Sequence, residues 1–202
     1  IAQEIASDSK VLDIGCASGY MGEFLVQNRQ CELWGIEPDH ESFVSAKEKR
    51  YKVILNDTVE TGLANDALKN QKFDYIILAD VLEHLLNPEA VLQQLHQFLT
   101  PGGKILISLP NVGHYSTRFT LLFGNWNMKE SGILDRTHLH FYTLKTAREL
   151  IENNGYVCEK IRPRGDLERW FGKFGLKFVG RFMLFLCMPF FAVQFIIVAR
   201  PK

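Results

Sequence analysis

The side chains able to do chemistry in this 202-residue sequence fall into two groups. The first is a tight glycine turn, VLDIGCASG, which brings Asp13, Gly15, Cys16, Ala17, Ser18 and Gly19 together. Three further pairs follow at nearly even intervals: Glu37-Pro38, Asn56-Asp57 and Asp80-Val81. Glycines let a backbone approach a ligand closely and leave its N–H groups free to bind it. A carboxylate at position 37 can accept both hydroxyls of a ribose. Asp57 is placed to accept from an adenine amino group, and Asp80 closes the series. The set describes a nucleotide-type ligand.

The second group is rich in imidazole. Glu83-His84, His114-Tyr115, Asp135, His138 and His140 carry donors and acceptors suited to moving a proton near neutral pH. Histidines and carboxylates also suit divalent ions. Their spacing matches no specific metal motif, however, so no metal is expected. His84 reads more readily as a cofactor-side or structural residue than as a base. His138 and His140 alternate as on an extended segment and should point the same way. Either is a base or a structural partner of Asp135. His114 and Tyr115, just beyond a strand, are the pair best placed to touch a substrate.

Elements must place these groups at one end of the molecule. Apolar runs predict strands at Lys10 to Ile14, Glu32 to Ile36, Lys52 to Leu55, Phe73 to Ala79, Lys104 to Leu109, Tyr156 to Ile161 and Phe191 to Ala199. Ser18 and Asp39 are expected to cap the helices after the first two strands, the first helix facing inward through Met21, Phe24 and Leu25. Asn87-Pro88-Glu89 opens a helix whose stripe runs from Val91 to Leu99, with Pro101-Gly102-Gly103 as its stop. A further helix is expected from Thr143 to Asn154. Strands alternating with helices argue for a parallel sheet covered on both faces. In such a sheet, ligands sit beyond the carboxyl ends of the strands, where the acidic residues lie. Residues 111–142 form a long insertion, too rich in aromatics for disorder. The chain opens in what reads as mid-helix, IAQEIA.

Bulk properties remove other classes. Twenty-three basic residues balance twenty-three acidic ones, so no basic field points to nucleic acid. Four scattered cysteines contain no C-x-x-C pair and suit reduced thiols in the cytoplasm. The whole chain is expected to form a single domain. From Phe182 to Ala199 there is no charged side chain, yet Pro189 divides the run, so a helix and then a core strand is expected rather than a membrane span. Before it, Glu159 to Arg181 holds seven basic and three acidic residues among Trp170, Phe171, Phe174 and Phe178. This basic and aromatic insertion, about 163–190, is expected to cap the sheet or contact a second copy in a homodimer. Peripheral contact with an anionic membrane is its other reading.

A glycine turn with a ribose acid also serves nicotinamide dehydrogenases. Here the turn lacks the middle glycine that admits a pyrophosphate. The ordered set VLDIGCASG, IEPD, ND, FDYIILADVLEHL and LTPGGKILISLPN resembles the class I S-adenosylmethionine-dependent methyltransferases over Val11 to Arg200. FDYIILADVLEHL with LTPGGKILISLPN resembles the small-molecule branch that includes ubiquinone-type O-methyltransferases. ILDRTHLHFYTLKTARELIENNGY is similar to that broad branch too, including members associated with glycan pathways. The resemblance implies a Rossmann-like, doubly wound α/β fold. Its sheet has seven strands, mostly parallel, with an antiparallel last strand beside the fifth and helices on both faces. It implies S-adenosylmethionine as cofactor and a small-molecule acceptor, with the hydroxyl of a sugar-, quinone- or lipid-related compound as the expected target. A nicotinamide-dependent oxidoreductase and a catalytically silent module of the same fold are the alternatives. The family often has Cys-Gly where this chain has Cys16-Ala17, so Ala17 is expected to keep a negative φ.

Overall fold

The computed structural model describes residues 1–165, 173, 175 and 177–202. Seven strands form one sheet: β1 (Lys10–Ile14), β2 (Glu32–Ile36), β3 (Val53–Leu55), β4 (Phe73–Ala79), β5 (Leu99–Pro110), β6 (Tyr156–Arg164) and β7 (Gln194–Pro201). Their order is β3-β2-β1-β4-β5-β7-β6. β7 pairs antiparallel with both β5 and β6, while the β1–β2, β1–β4, β2–β3 and β4–β5 pairs are parallel. Strand order therefore reverses between β1 and β4, and the ends of those two strands carry the glycine turn and Asp80.

The apolar strands are continuous because both faces are covered. On one face Leu12, Ile14, Ile36, Ile76 and Leu78 meet helices α3 (Val59–Leu63), α4 (Pro88–Leu95) and α6 (Leu144–Asn153). On the other, Val11, Leu33, Ile77 and Leu106 meet Leu25 of helix α1 (Tyr20–Arg29). Burying one such side chain contributes roughly 1.5–3 kcal/mol. Two of the caps read from the sequence hold: Asp39 accepts from the Ser42 N–H at the start of α2 (His40–Lys47), and Asn87 from that of Ala90. Thr143, which was not read as a cap, accepts from the Thr146 N–H.

Other local expectations fail for identifiable reasons. Gly19, in the left-handed region at φ 77°, is the N-cap of α1, and Ser18 does not cap it. Phe24 is half exposed, so the inward face of α1 rests on Leu25. The stripe of α4 ends at Leu95, since a single 3-10 turn brings the chain into β5 at Leu99. Pro101-Gly102-Gly103 consequently lies within that strand. There a Cβ on Gly103 would meet the Phe73 carbonyl at 2.9 Å, which explains the glycine. IAQEIA forms one 3-10 turn, Ala2–Glu4, and no longer helix. β7 begins at Gln194, three residues later than its apolar run suggests, because helices α7 (Lys177–Leu186) and α8 (Met188–Phe191) absorb the preceding phenylalanines.

The 111–142 insertion is ordered around helix α5 (Tyr115–Leu122). Asn111 fixes its root, donating from Nδ2 to the carbonyls of Pro189 and Ala192 at 3.1 and 2.7 Å and accepting from the Gly113 N–H. Trp170, Phe171 and Phe174 lie outside the described residues.

Candidate active site

Two cavities of about 450 Å³ open at the carboxyl ends of the strands and share Asp80 and His84. The first is lined by Gly15, Glu37, Pro38, Val81 and the stretch Thr58, Val59 and Glu60. Gly15 sits at φ 68°, which favours glycine, and a Cβ there would meet Cγ2 of Val81 at 2.7 Å. Val81 thus packs directly on the turn and fixes how closely a ligand can lie. Ala17 departs from expectation at φ 46°. The reason lies in its amide, which donates to Oε2 of Glu37 at 2.7 Å and turns the backbone inward. Oε1 of Glu37 accepts from the Asp39 N–H at 2.9 Å. This carboxylate is buried and held on two sides, and it faces the cavity.

The remaining residues expected at the cofactor support the cleft from behind or beside it. Asp13 is buried under the turn, where Oδ2 accepts from the Tyr51 hydroxyl at 2.9 Å. Its Oδ1 has no hydrogen-bond partner, and burial pushes its pKa up to about 7. Burial likewise raises the Cys16 thiol to about 12, with Asp13 and Glu37 nearby adding to the shift. Cys16 is an inert thiol. Asn56 clips the end of β2, donating to the carbonyls of Glu37 and Pro38. Asp57 bonds to Thr61 and Asn65, so the cavity wall passes to its neighbours Thr58, Val59 and Glu60. Thr58 was readable as the cap of α3; that it also lines the cleft was not.

The second cavity is lined by Asp80, Glu83, His84, Asp135 and His138, closed by Arg164 and Gly165 at the end of β6 and by Gln194 at the start of β7. Gln194 donates to Asp80 and to Ser108 Oγ, tying the β4, β5 and β7 ends together. Glu83 is fully buried, neither carboxylate oxygen has a hydrogen-bond partner, and burial raises its pKa to about 8. The His84 and His138 rings lie edge to face, 4.8 Å between centroids. Their Nδ1 atoms face the carbonyls of Thr137 at 3.2 Å and Ile133 at 3.3 Å. A carbonyl only accepts, so each Nδ1 carries a proton, and whenever a ring is neutral its lone pair lies on Nε2. Burial, followed by the His84 charge, holds the His138 pKa below its usual value. One ligand atom from each of Glu83, His84 and His138 falls within 4.8 Å of the others. Spacing in sequence concealed this cluster, because 53 residues, including α4, β5 and α5, lie between His84 and His138.

Other histidines part company with it. His138 and His140 have different partners: His138 meets the His84 ring, whereas His140 lies against Tyr142. The His140 amide donates to the Glu83 carbonyl. The Asp135 carboxylate accepts from Thr137 at both N and Oγ1, not from a histidine ring. His114 is buried and caps α5 through Nδ1 and the Ser116 amide. Tyr115 stacks on it and meets Phe190. Among the described residues neither lines a cavity with His84.

The sequence matches the family described as a methyltransferase domain over residues 1–161. The chain belongs to that family. It is 30% identical over 170 residues to the ubiquinone biosynthesis O-methyltransferase of Azoarcus sp., covering 79% of this chain and 72% of that one. The mitochondrial ubiquinone biosynthesis O-methyltransferase of Homo sapiens is 27% identical over 159 residues, 75% of this chain and 42% of the human protein. The chain thus spans less than half of its mammalian relatives. Among solved structures, an S-adenosylmethionine-dependent methyltransferase from Archaeoglobus fulgidus superposes with a TM-score of 0.67 at 18% identity, covering 96% of this chain and 86% of that one. The Rossmann-like fold is that of the class I methyltransferases, and the family identifies the cofactor as S-adenosylmethionine, which sets the nicotinamide reading aside.

Proposed function

We propose that this chain transfers a methyl group from S-adenosylmethionine to a hydroxyl of a small quinone-, sugar- or lipid-related acceptor. The observation that carries this reading is the wall shared by the two cavities. Asp80 and His84 belong to both, so a ligand in the first meets a ligand in the second across them. The first cavity fits the cofactor. Gly15 leaves it room, Glu37 presents both oxygens to a ribose, and Val59 offers an apolar side for an adenine. The names of the relatives from Azoarcus and Homo sapiens support an oxygen acceptor.

The cofactor supplies an electrophilic methyl on a sulfonium. This chain's residues align the acceptor, exclude water and take its proton. His138, with Nε2 unprotonated, accepts the hydroxyl proton as the C–O bond forms and the C–S bond breaks. The products are an ether, a neutral thioether and an imidazolium. Alignment in a closed site contributes several kcal/mol of barrier reduction, and a positioned base a further ~10²- to 10⁴-fold in rate. Replacing His138 and His84 separately by Gln, at saturating cofactor with a hydroquinone acceptor, tests it. His138→Gln is expected to lose at least ~100-fold in turnover. Unchanged turnover in both variants rejects histidine as base.

One observation favours a second reading of the same step. Two imidazoles anchored through Nδ1 to carbonyls, beside an orphaned buried carboxylate, are also the donor set of a divalent cation. A cation there would lower the pKa of an acceptor hydroxyl bound to it. Turnover that survives exhaustive chelation rejects this reading; loss restored by one added divalent ion favours it.

A further inference from the structure

No helix among the described residues is long and apolar enough to cross a membrane. α7 nevertheless presents an apolar face that no other element among the described residues covers. Phe178, Phe182, Phe185 and Leu186 recur at helical spacing and are 71%, 65%, 70% and 68% exposed. The helix turns Gly180 and Leu184 inward instead, and its ten residues span about 15 Å, half of a bilayer core. The sequence leading into it is net basic: Glu159 to Arg181 holds seven basic and three acidic residues, and Lys173 is exposed.

We propose that this face docks on an anionic lipid bilayer, lying in the headgroup plane with its phenylalanines at the acyl boundary. Charge complementarity decides for lipid over a second copy of the chain. A dimer through this face would bring two net basic segments together, and like charges oppose association. Area agrees. Four side chains exposed to this extent offer roughly 500 Å², short of the ~800 Å² that each partner of a standard interface buries. A bilayer needs no complementary surface, takes Phe and Leu at the acyl boundary, and attracts each nearby cation.

The same helix stands at the rim of the second cavity. A Cβ on Gly165, which lines that cavity, would meet Cδ1 of Leu184 at 3.0 Å. α8 continues from α7 and carries Phe190, against which Tyr115 and Arg118 of α5 pack at 5.9 and 5.8 Å. α5 ends in Leu122 and Phe123, 74% and 76% exposed. Docking through α7 therefore sets the cavity's rim at the headgroup level. The proposal concerns the surface and stands whether or not the acceptor is lipid-borne.

Flotation of the whole chain with phosphatidylcholine vesicles, with and without phosphatidylglycerol, tests it. The expected result is co-flotation with anionic vesicles at low salt, at least fivefold weaker with neutral vesicles and weakened by added salt. Phe182→Ser, and separately Phe178→Ser with Phe185→Ser, should each lower the bound fraction at least threefold while melting and cofactor binding match the parent. No flotation with anionic vesicles overturns the proposal, as does equal flotation of correctly folded variants. Sedimentation showing a dimer that these substitutions dissociate would assign the face to a second copy and overturn it as well.

Discussion

The two cavities are equal in volume and share a wall, but they are built in opposite ways. The first cavity, the proposed cofactor cleft, is made by consecutive strand ends: the turn after β1, Glu37 after β2, Thr58 after β3 and Asp80 after β4. Its lining carboxylate, Glu37, is satisfied by nearby backbone through the amides of Ala17 and Asp39, while Asp13 beneath the turn keeps one oxygen unpaired. The second cavity draws one 3-10 turn, the 132–138 loop and the ends of β6 and β7 together, and it leaves Glu83 buried without a hydrogen bond. A general nucleotide-type ligand can be served by regular structure alone. A particular acceptor needs groups that the sheet does not supply. Substitutions in the first cavity should therefore act on cofactor affinity, and those in the second on turnover.

The largest effect that would sharpen this division is expected from Gly15→Ala. The substitution puts a side chain at φ 68° and within 2.7 Å of Val81 Cγ2. The left-handed conformation costs an alanine about 1–2 kcal/mol, and the overlap about 1–3 kcal/mol more. Calorimetry should show cofactor affinity reduced at least tenfold. Val81→Ala removes the overlapping methyl, so the double variant should recover part of that loss and keep the conformational share. Wild-type affinity in Gly15→Ala would show that the turn does not set the ligand's approach.

A medium effect concerns the floor of the cleft. The Asp13 carboxyl is raised from 3.8 to about 7 by burial, so the folded protein holds a proton that the unfolded chain releases above about pH 4. Stability from this group is full below that pH and is lost as pH rises toward 7, then levels off. The slope is about 1.4 kcal/mol per pH unit at most. Asp13→Asn removes it. Denaturant unfolding at pH 5 and pH 8 should show wild type losing about 2.6 kcal/mol more than the variant between the two. Glu83 is common to both proteins and cancels. Parallel curves would mean that Asp13 is ionised in the fold and that the cleft floor carries a charge after all.

The same contrast explains what could be read from residues alone. Strand cores, two helix caps and the residues at strand ends follow from local patterns, since apolar periodicity and capping act within a few positions. The Glu83, His84 and His138 cluster depends on how the 111–142 insertion folds back, and no short-range pattern reports that. His114 shows the converse. It stands next to a strand end and so read as substrate-facing, whereas its ring is spent capping α5. Gln194 was hidden by register. Only the pairing of β7 against β5, Gln194 opposite Pro110, brings its amide to Asp80.

The smallest effect tests a place where the cleft itself broke its local rule. Ala17 was expected at negative φ, but the pull of Glu37 on its amide holds it at 46°. The strain is stored in the turn and offset by a hydrogen bond to Glu37, the carboxylate proposed to hold the ribose. Ala17→Gly relieves about 1 kcal/mol of backbone strain and returns about half of it as unfolded-chain entropy. The net gain should be about 0.5 kcal/mol, read as a small rise in melting temperature, with cofactor affinity within about threefold of the parent. A loss of stability would mean that Ala17 relaxes to negative φ. Glu37 would then lose the Ala17 amide, and the claim that the first cavity is satisfied by its own backbone would fail at its central residue.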